Sequence, residues 1–426
     1  MIKQHALSVK GKLAATSGAA IIFFLSKSAV LFAPLLLSNV VSVEQYGLFE
    51  YALGIGSISS ILFAAGLPGA VPFFLIRQNR PDFIVAFHAH AALLSLILIG
   101  SGCALLLTPQ PSPLTFGFSV GALMACQAIH ATISKSNSHP ARASVIESGF
   151  YLVLLIAIVL SLLLESRFDT KTMLGVFNLY GLALLALSAR SLRAEVGLPN
   201  LVTKYQEVFQ FGIPLILSSL MIVALANGGR VLVNTLLSAE AGGVYSFIFR
   251  LSATVLIAHQ LINTLFFRPL YESNPKSLDK YFCLVSSLII SLSAFVFLTS
   301  PLIPTSILQL SSILPVNREV QLIISYQMVF WVSTALLENI IYRSRIGNRF
   351  SATLAIIVPT LILAVLALKQ INILNLETLC LAYSIAVFAT LMSQLFLLHQ
   401  AGVTLKRFWF LSILTMLSLI VFIALI

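Results

Sequence analysis

Apolar residues run through this chain in near-unbroken stretches of twenty or more, separated by short clusters of charge, Gly, Pro and Asn. A bilayer core takes about 20 apolar residues per helix. The pattern predicts helical spans at 14–38, 48–76, 83–107, 114–133, 143–164, 172–189, 209–237, 244–267, 281–303, 320–341, 350–368, 377–399 and 408–426. The runs are continuous rather than alternating, which excludes a membrane β-barrel. The sixth span is short, and the thirteenth ends the chain without a polar anchor.

The longest polar interruption, about Arg190 to Val208, divides the spans into six before and six or seven after. The expected fold is an all-α polytopic membrane protein, with two six-helix lobes in pseudo-two-fold arrangement plus one extra C-terminal helix. The lobes are expected at 1–190 and 209–400, the cytoplasmic linker at 191–208 and the additional helix at 401–426. An even number of spans per half gives both halves the same orientation, so a repeat would be related by an axis along the membrane normal. A faint repeat agrees: Leu36-Leu37-Ser38 followed by Tyr46 recurs as Leu236-Leu237-Ser238 followed by Tyr245. Within the second span, Gly66-Leu67-Pro68-Gly69-Ala70 is placed to bend the helix, either as a gating hinge or as an ordinary membrane kink.

Composition sharpens this picture. The 426 residues are 59% hydrophobic and 9% charged, with mean hydropathy +1.01, a balance no soluble domain has. The net charge of +11 is mostly a topology signal. With the N-terminus in the cytoplasm, the outside loops hold four of the 25 Lys and Arg: Arg167, Lys171, Arg318 and Lys369. Three more, Lys27, Arg230 and Arg250, fall inside spans, and the remaining eighteen are cytoplasmic. Nothing is left over to suggest a nucleic-acid partner. The four cysteines lie inside spans at spacings that make neither a metal site nor a disulfide framework.

The intramembrane cations are the candidate chemistry. An arginine within a span costs roughly 2.5–3.5 kcal/mol on insertion scales, so protein or water normally shields it from lipid. Arg230 and Arg250 flank the turn Ser238–Gly243, and Lys27 lies near the middle of the first span. One reading is a cationic pocket for an anion, open toward that side of the membrane. The other is that both arginines snorkel to the headgroups, about 9–12 Å away at 1.5 Å per residue. Lys27 is too deep to snorkel easily, which favours the pocket; its alternative is a pair with Glu50. Glu147 is expected to snorkel or to pair with Arg142. Asn227, Asn234, Asn263 and Gln260 are candidate cavity-lining polar groups, or else interhelical hydrogen-bonding residues. His259 and Glu338 are candidates for ion coupling. No cofactor or metal site is expected, and no Walker loop, HExxH or GxSxG pattern in a suitable setting marks an enzyme.

Two blocks carry a resemblance. One is Pro34-Leu35-Leu36-Leu37-Ser38 through Tyr46-Gly47-Leu48-Phe49, then Gly66-Leu67 and Ala70. The other is Asn227-Gly228-Gly229-Arg230 through Gly243-Val244-Tyr245-Ser246 and Arg250-Leu251. With the six-plus-six layout, these make the chain resemble a polysaccharide flippase of the MOP exporter superfamily, in the O-antigen repeat-unit (Wzx-type) group. The family often has an acidic residue before the arginine matching Arg230, where this chain has Gly229.

The resemblance implies a flippase in the bacterial inner membrane. It would move undecaprenyl-diphosphate-linked oligosaccharide to the outer leaflet by alternating access around a cationic cavity, with Arg230, Arg250 and Lys27 binding the diphosphate. Its implied partners are that lipid-linked substrate, membrane lipids and other polysaccharide-assembly membrane proteins. A peptidoglycan lipid-precursor flippase shares the layout. A multidrug or cation exporter is disfavoured by the basic interior, and a glycan polymerase by outer loops no longer than 16 residues.

Overall fold

The computed structural model describes residues 21–108, 112–137, 139–164, 168–194, 201–256, 275–344 and 346–425. The described residues are helical with short connections, and eleven helices are long and apolar enough to cross a membrane. The chain is thus an all-α, multi-pass membrane protein. It divides into two compact units, Met1–Val41 with Ala52–Leu220, and Ser42–Tyr51 with Met221–Ile426.

The first unit holds α1 (Ile21–Leu37), the later part of α2 (Val43–Ala64) and α3 (Leu67–Pro72). It continues through α4 (Ile84–Leu107), α5 (Pro113–Ser136), α6 (Pro140–Leu163) and α7 (Thr170–Ala194) into the start of α8 (Leu201–Leu236). Its core is α4 packed against α5 and α7. The span expected at 48–76 begins earlier, at Val43, and breaks at Ala65–Gly66. Gly66 takes φ 73°, which a side chain would strain, and its Cα faces the backbone of Gly212 so closely that a Cβ would sit 2.3 Å from the Gly212 carbonyl oxygen. Pro68 then restarts the helix in the first turn of α3, where its missing N–H costs nothing. A π-helical turn, Phe73–Arg77, follows.

α8 is longer than its apolar run because its first two turns have polar partners. Arg80 donates to Glu207 at 2.9 Å, Lys204 pairs with Asp82 at 3.2 Å, and His90 hydrogen-bonds Tyr205. The second half of the segment expected as linker, from Leu201, is therefore helix.

The second unit takes the first turns of α2, from Val43 to Tyr51, and α8 from Met221. It adds α9 (Ala239–Ser252), α10 (Pro275–Thr299), α11 (Arg318–Arg343), α12 (Gly347–Gln370), α13 (Leu376–Gln400) and α14 (Lys406–Leu425). α11 is its most enclosed helix and packs on α13, whereas α12 and α14 are mostly exposed, as lipid-facing helices are. Local signals set the boundaries. Ser238 caps α9, its Oγ accepting from the Ala241 N–H, and Asn375 with Thr378 forms a capping box on α13. Asp279 accepts from the N–H groups of Arg407 and Phe408, so an acidic side chain from α10 caps α14. The span expected at 408–426 is a helix over Lys406–Leu425 and is one of the eleven.

Candidate functional site

Tyr46 and Glu50 stand four residues apart on α2 and share one face. The first turn of α9 is built from small residues, and this brings α2, α8 and α9 of the second unit together. A Cβ on Gly47 would lie 1.9 Å from the Ala239 carbonyl oxygen, and one on Gly243 would lie 2.2 Å from that of Val43. On the α8 side, Gly242 faces the amide of Asn234, and Gly229 gives its space to the hydroxyl of Tyr245. Close backbone approach of this kind is how membrane helices associate without a hydrophobic driving force.

The approach lets three charged side chains meet. Arg250 grips Glu50 side-on, Nε donating to Oε1 at 2.9 Å and Nη2 to Oε2 at 3.2 Å. Arg230 brings Nη1 to 3.3 Å from Glu50 Oε2 and lays its guanidinium over the Phe249 ring, 4.8 Å from the centroid. Tyr46 donates its hydroxyl to Glu50 Oε1 at 3.4 Å. Glu50 and Tyr46 are 0% exposed, and each arginine 6%. The arginines therefore do not snorkel to headgroups. They converge on one buried oxyanion, whose oxygens fill the space between the two guanidiniums where an open pocket was expected. Such charge-assisted, bidentate bonds are the strong class of hydrogen bond, and Arg supplies the planar fork they need.

Two sequence expectations are corrected here. Glu50 pairs with Arg230 and Arg250, not with Lys27. Lys27 belongs to the first unit, where Nζ lies 3.1 Å from Glu147 Oε1. Glu147 in turn binds Lys135 at 2.9 Å rather than Arg142. The reason is helical spacing: Arg142 and Glu147 are five residues apart on α6 and face different directions, whereas α1 and α5 present lysines to Glu147. The residue before Arg230 is Gly229, and the carboxylate for Arg230 comes from α2.

The remaining candidates scatter. Asn227 donates to the Val223 carbonyl at 3.4 Å and Asn234 to the Arg230 carbonyl at 2.9 Å, so both bond back along α8. Glu338 lines a small cavity of about 30 Å³ in the second unit with Trp331, Thr334, Thr390 and the fully buried Gln394. His259, Gln260 and Asn263 lie outside the described residues. Two residues central to the site, Tyr46 and Glu50, were not among the candidates for binding. Their signal was an acidic residue inside an apolar helix, four positions from a tyrosine.

No protein-family model and no curated protein matches the chain. Among solved structures, the crystal structure of the eukaryotic MATE transporter AtDTX14 is similar over 97% of this chain and 99% of that chain, at 15% identity and a TM-score of 0.41. A likeness of that size says nothing about what this chain carries.

Proposed function

We propose that the chain is a flippase for undecaprenyl-diphosphate-linked oligosaccharides, passing them from the cytoplasmic to the outer leaflet by alternating access. The observation that carries this reading is the convergence of Arg230 and Arg250 on one buried oxyanion. A phosphate offers a guanidinium fork the same paired oxygens that a carboxylate does. The Arg250 fork and the Arg230 guanidinium that hold Glu50 are thus formed in advance for a diphosphate, which enters by taking the carboxylate's place. In this reading Glu50 keeps the arginines aligned while the carrier is empty, and its return helps to expel the product. The orientation, N-terminus in the cytoplasm of the inner membrane, rests on the distribution of Lys and Arg.

A cation exporter fits less well, because its cargo needs a carboxylate and Glu50 is held by two guanidiniums. A second reading has one observation in its favour. The near-complete burial of the cluster is also what a purely structural ion network has, tying the first turns of α2 to α8 and α9.

The test is reconstitution of the purified protein in liposomes containing fluorescent undecaprenyl-diphosphate oligosaccharide, scored by the rate at which its headgroup changes leaflet. The protein should speed exchange over empty liposomes. Arg230→Ala and Arg250→Ala should each slow it about tenfold or more, since a hydrogen bond to a charged group is worth roughly 1.5–3 kcal/mol. Exchange no faster than in empty liposomes would overturn the proposal.

A further inference from the structure

The second unit has a cavity of about 750 Å³ between α10, α11 and α14. We propose that it binds one acyl chain of a phospholipid with a net negative headgroup, whose phosphate sits at Arg318. The site does not rest on the flippase reading.

The walls are hydrocarbon, with Phe297, Leu298, Leu322, Val329, Leu411 and Phe422 among the lining residues. Most polar groups of the wall are turned onto one another or onto backbone, while Ser325 Oγ has no hydrogen-bond partner among the described residues. Tyr326 and Ser418 share a hydrogen bond of 3.0 Å across α11 and α14, Ser293 donates to the Ser325 carbonyl at 3.1 Å, and Thr415 to that of Leu411 at 2.8 Å. A sugar or a hydrated ion finds little here to replace its water. Three helices that cross the apolar layer enclose the groove, and Leu298 and Leu414 around it are more than half exposed, with Phe422 at 47%. What reaches it sideways is lipid.

Its length fits one leaflet. Leu411 and Phe422 mark its extent along α14, eleven residues or ~16 Å at the helical rise. That is about half of the roughly 30 Å hydrocarbon core.

Its charge selects the headgroup. Arg318 opens α11 one turn before Leu322, at the same end as Phe422, and its guanidinium lies 3.8 Å from the centroid of the groove residue Phe297. Nη1 donates to the Phe297 carbonyl at 2.8 Å and to Gln321 Oε1 at 2.9 Å. Both acceptors are neutral, and none of the ion pairs among the described residues involves Arg318. The positive charge is thereby fixed at the rim. A phosphodiester is the oxyanion that arrives there with an acyl chain attached.

The test uses the purified full-length chain in detergent, with phosphatidylglycerol or phosphatidylcholine of the same acyl composition, and bound lipid counted by native mass spectrometry. Wild type should retain phosphatidylglycerol about fivefold better than phosphatidylcholine, the effect of roughly one cation on an anionic lipid. Arg318→Gln should bring that ratio to about one while still retaining lipid. Ala294→Trp, at an exposed position lining the groove, should lose both lipids. If it lowers the thermal midpoint, Leu414→Trp, also exposed, takes its place. Wild-type retention in the filled variant, or an unchanged preference in Arg318→Gln, would overturn the site. So would complete displacement of phosphatidylglycerol by equimolar undecaprenyl phosphate, or a lipid-free dimer that dissociates when the groove is filled.

Discussion

Arg250 closes on Glu50 across 200 residues of sequence, two nitrogens to two oxygens at 2.9 and 3.2 Å. Both side chains are buried inside a membrane protein, so neither is stable there without a counter-charge. Breaking a buried ion pair by removing one partner costs about 3–5 kcal/mol, because the other charge remains. Glu50→Ala and Glu50→Gln should therefore both lower the thermal midpoint in detergent, Glu50→Gln by less because its amide oxygen still accepts a hydrogen bond from Arg250. A wild-type midpoint in Glu50→Ala would show that the carboxylate does not hold the arginines.

The two arginines use different geometries, and lysine should tell them apart. Arg250 engages Glu50 through two nitrogens, and an ammonium cannot reproduce that fork. Arg230 offers one nitrogen at 3.3 Å and covers the Phe249 ring, both of which lysine can imitate. Arg250→Lys should lower stability and transport more than Arg230→Lys. Differential scanning fluorimetry and the liposome assay measure the two effects, and the reverse order would contradict the geometry.

Two glycines should resist even alanine. A Cβ on Gly47 would collide with the Ala239 carbonyl oxygen at 1.9 Å, and backbone cannot step aside as a flexible side chain can. On Gly66 a Cβ would meet the Gly212 carbonyl at 2.3 Å in a conformation with φ 73°. Each substitution should cost about 1–3 kcal/mol or more, as overpacking does. Gly100→Ala, where nothing lies within 4 Å of the added atom, is the control and should be near neutral. Thermal midpoints of the three variants check the ranking.

Eleven of the thirteen expected spans were legible because each needs only local information, a long apolar run or a Pro–Gly break at 66–69, and the other two, 14–38 and 244–267, reach into residues outside those described. Whether Lys27 meets Glu50 or Glu147 was not legible, since it depends on which helices adjoin. The first turns of α8 were hidden for a similar reason, as Lys204, Tyr205 and Glu207 look like a linker until Asp82, His90 and Arg80 are seen opposite them. The partner of Arg230 was hidden too: Gly229 beside it offers no carboxylate, and the one it has comes from α2. One faint clue did exist. The internal repeat has an offset near 200 residues, and Glu50 and Arg250 are separated by that offset.

The central claim, that Arg230 and Arg250 serve an anionic cargo rather than the fold alone, needs a variant that removes the charges without leaving one stranded. Replacing a whole buried ion network with apolar side chains of similar volume is often neutral or stabilising. The variant is the triple substitution Glu50→Leu, Arg230→Met and Arg250→Leu, and the measurement is its rate of exchange of undecaprenyl-diphosphate oligosaccharide in liposomes, normalised to folded protein. The account predicts wild-type insertion and a thermal midpoint near wild type, with exchange reduced to that of empty liposomes. Wild-type exchange from this charge-free variant would contradict it.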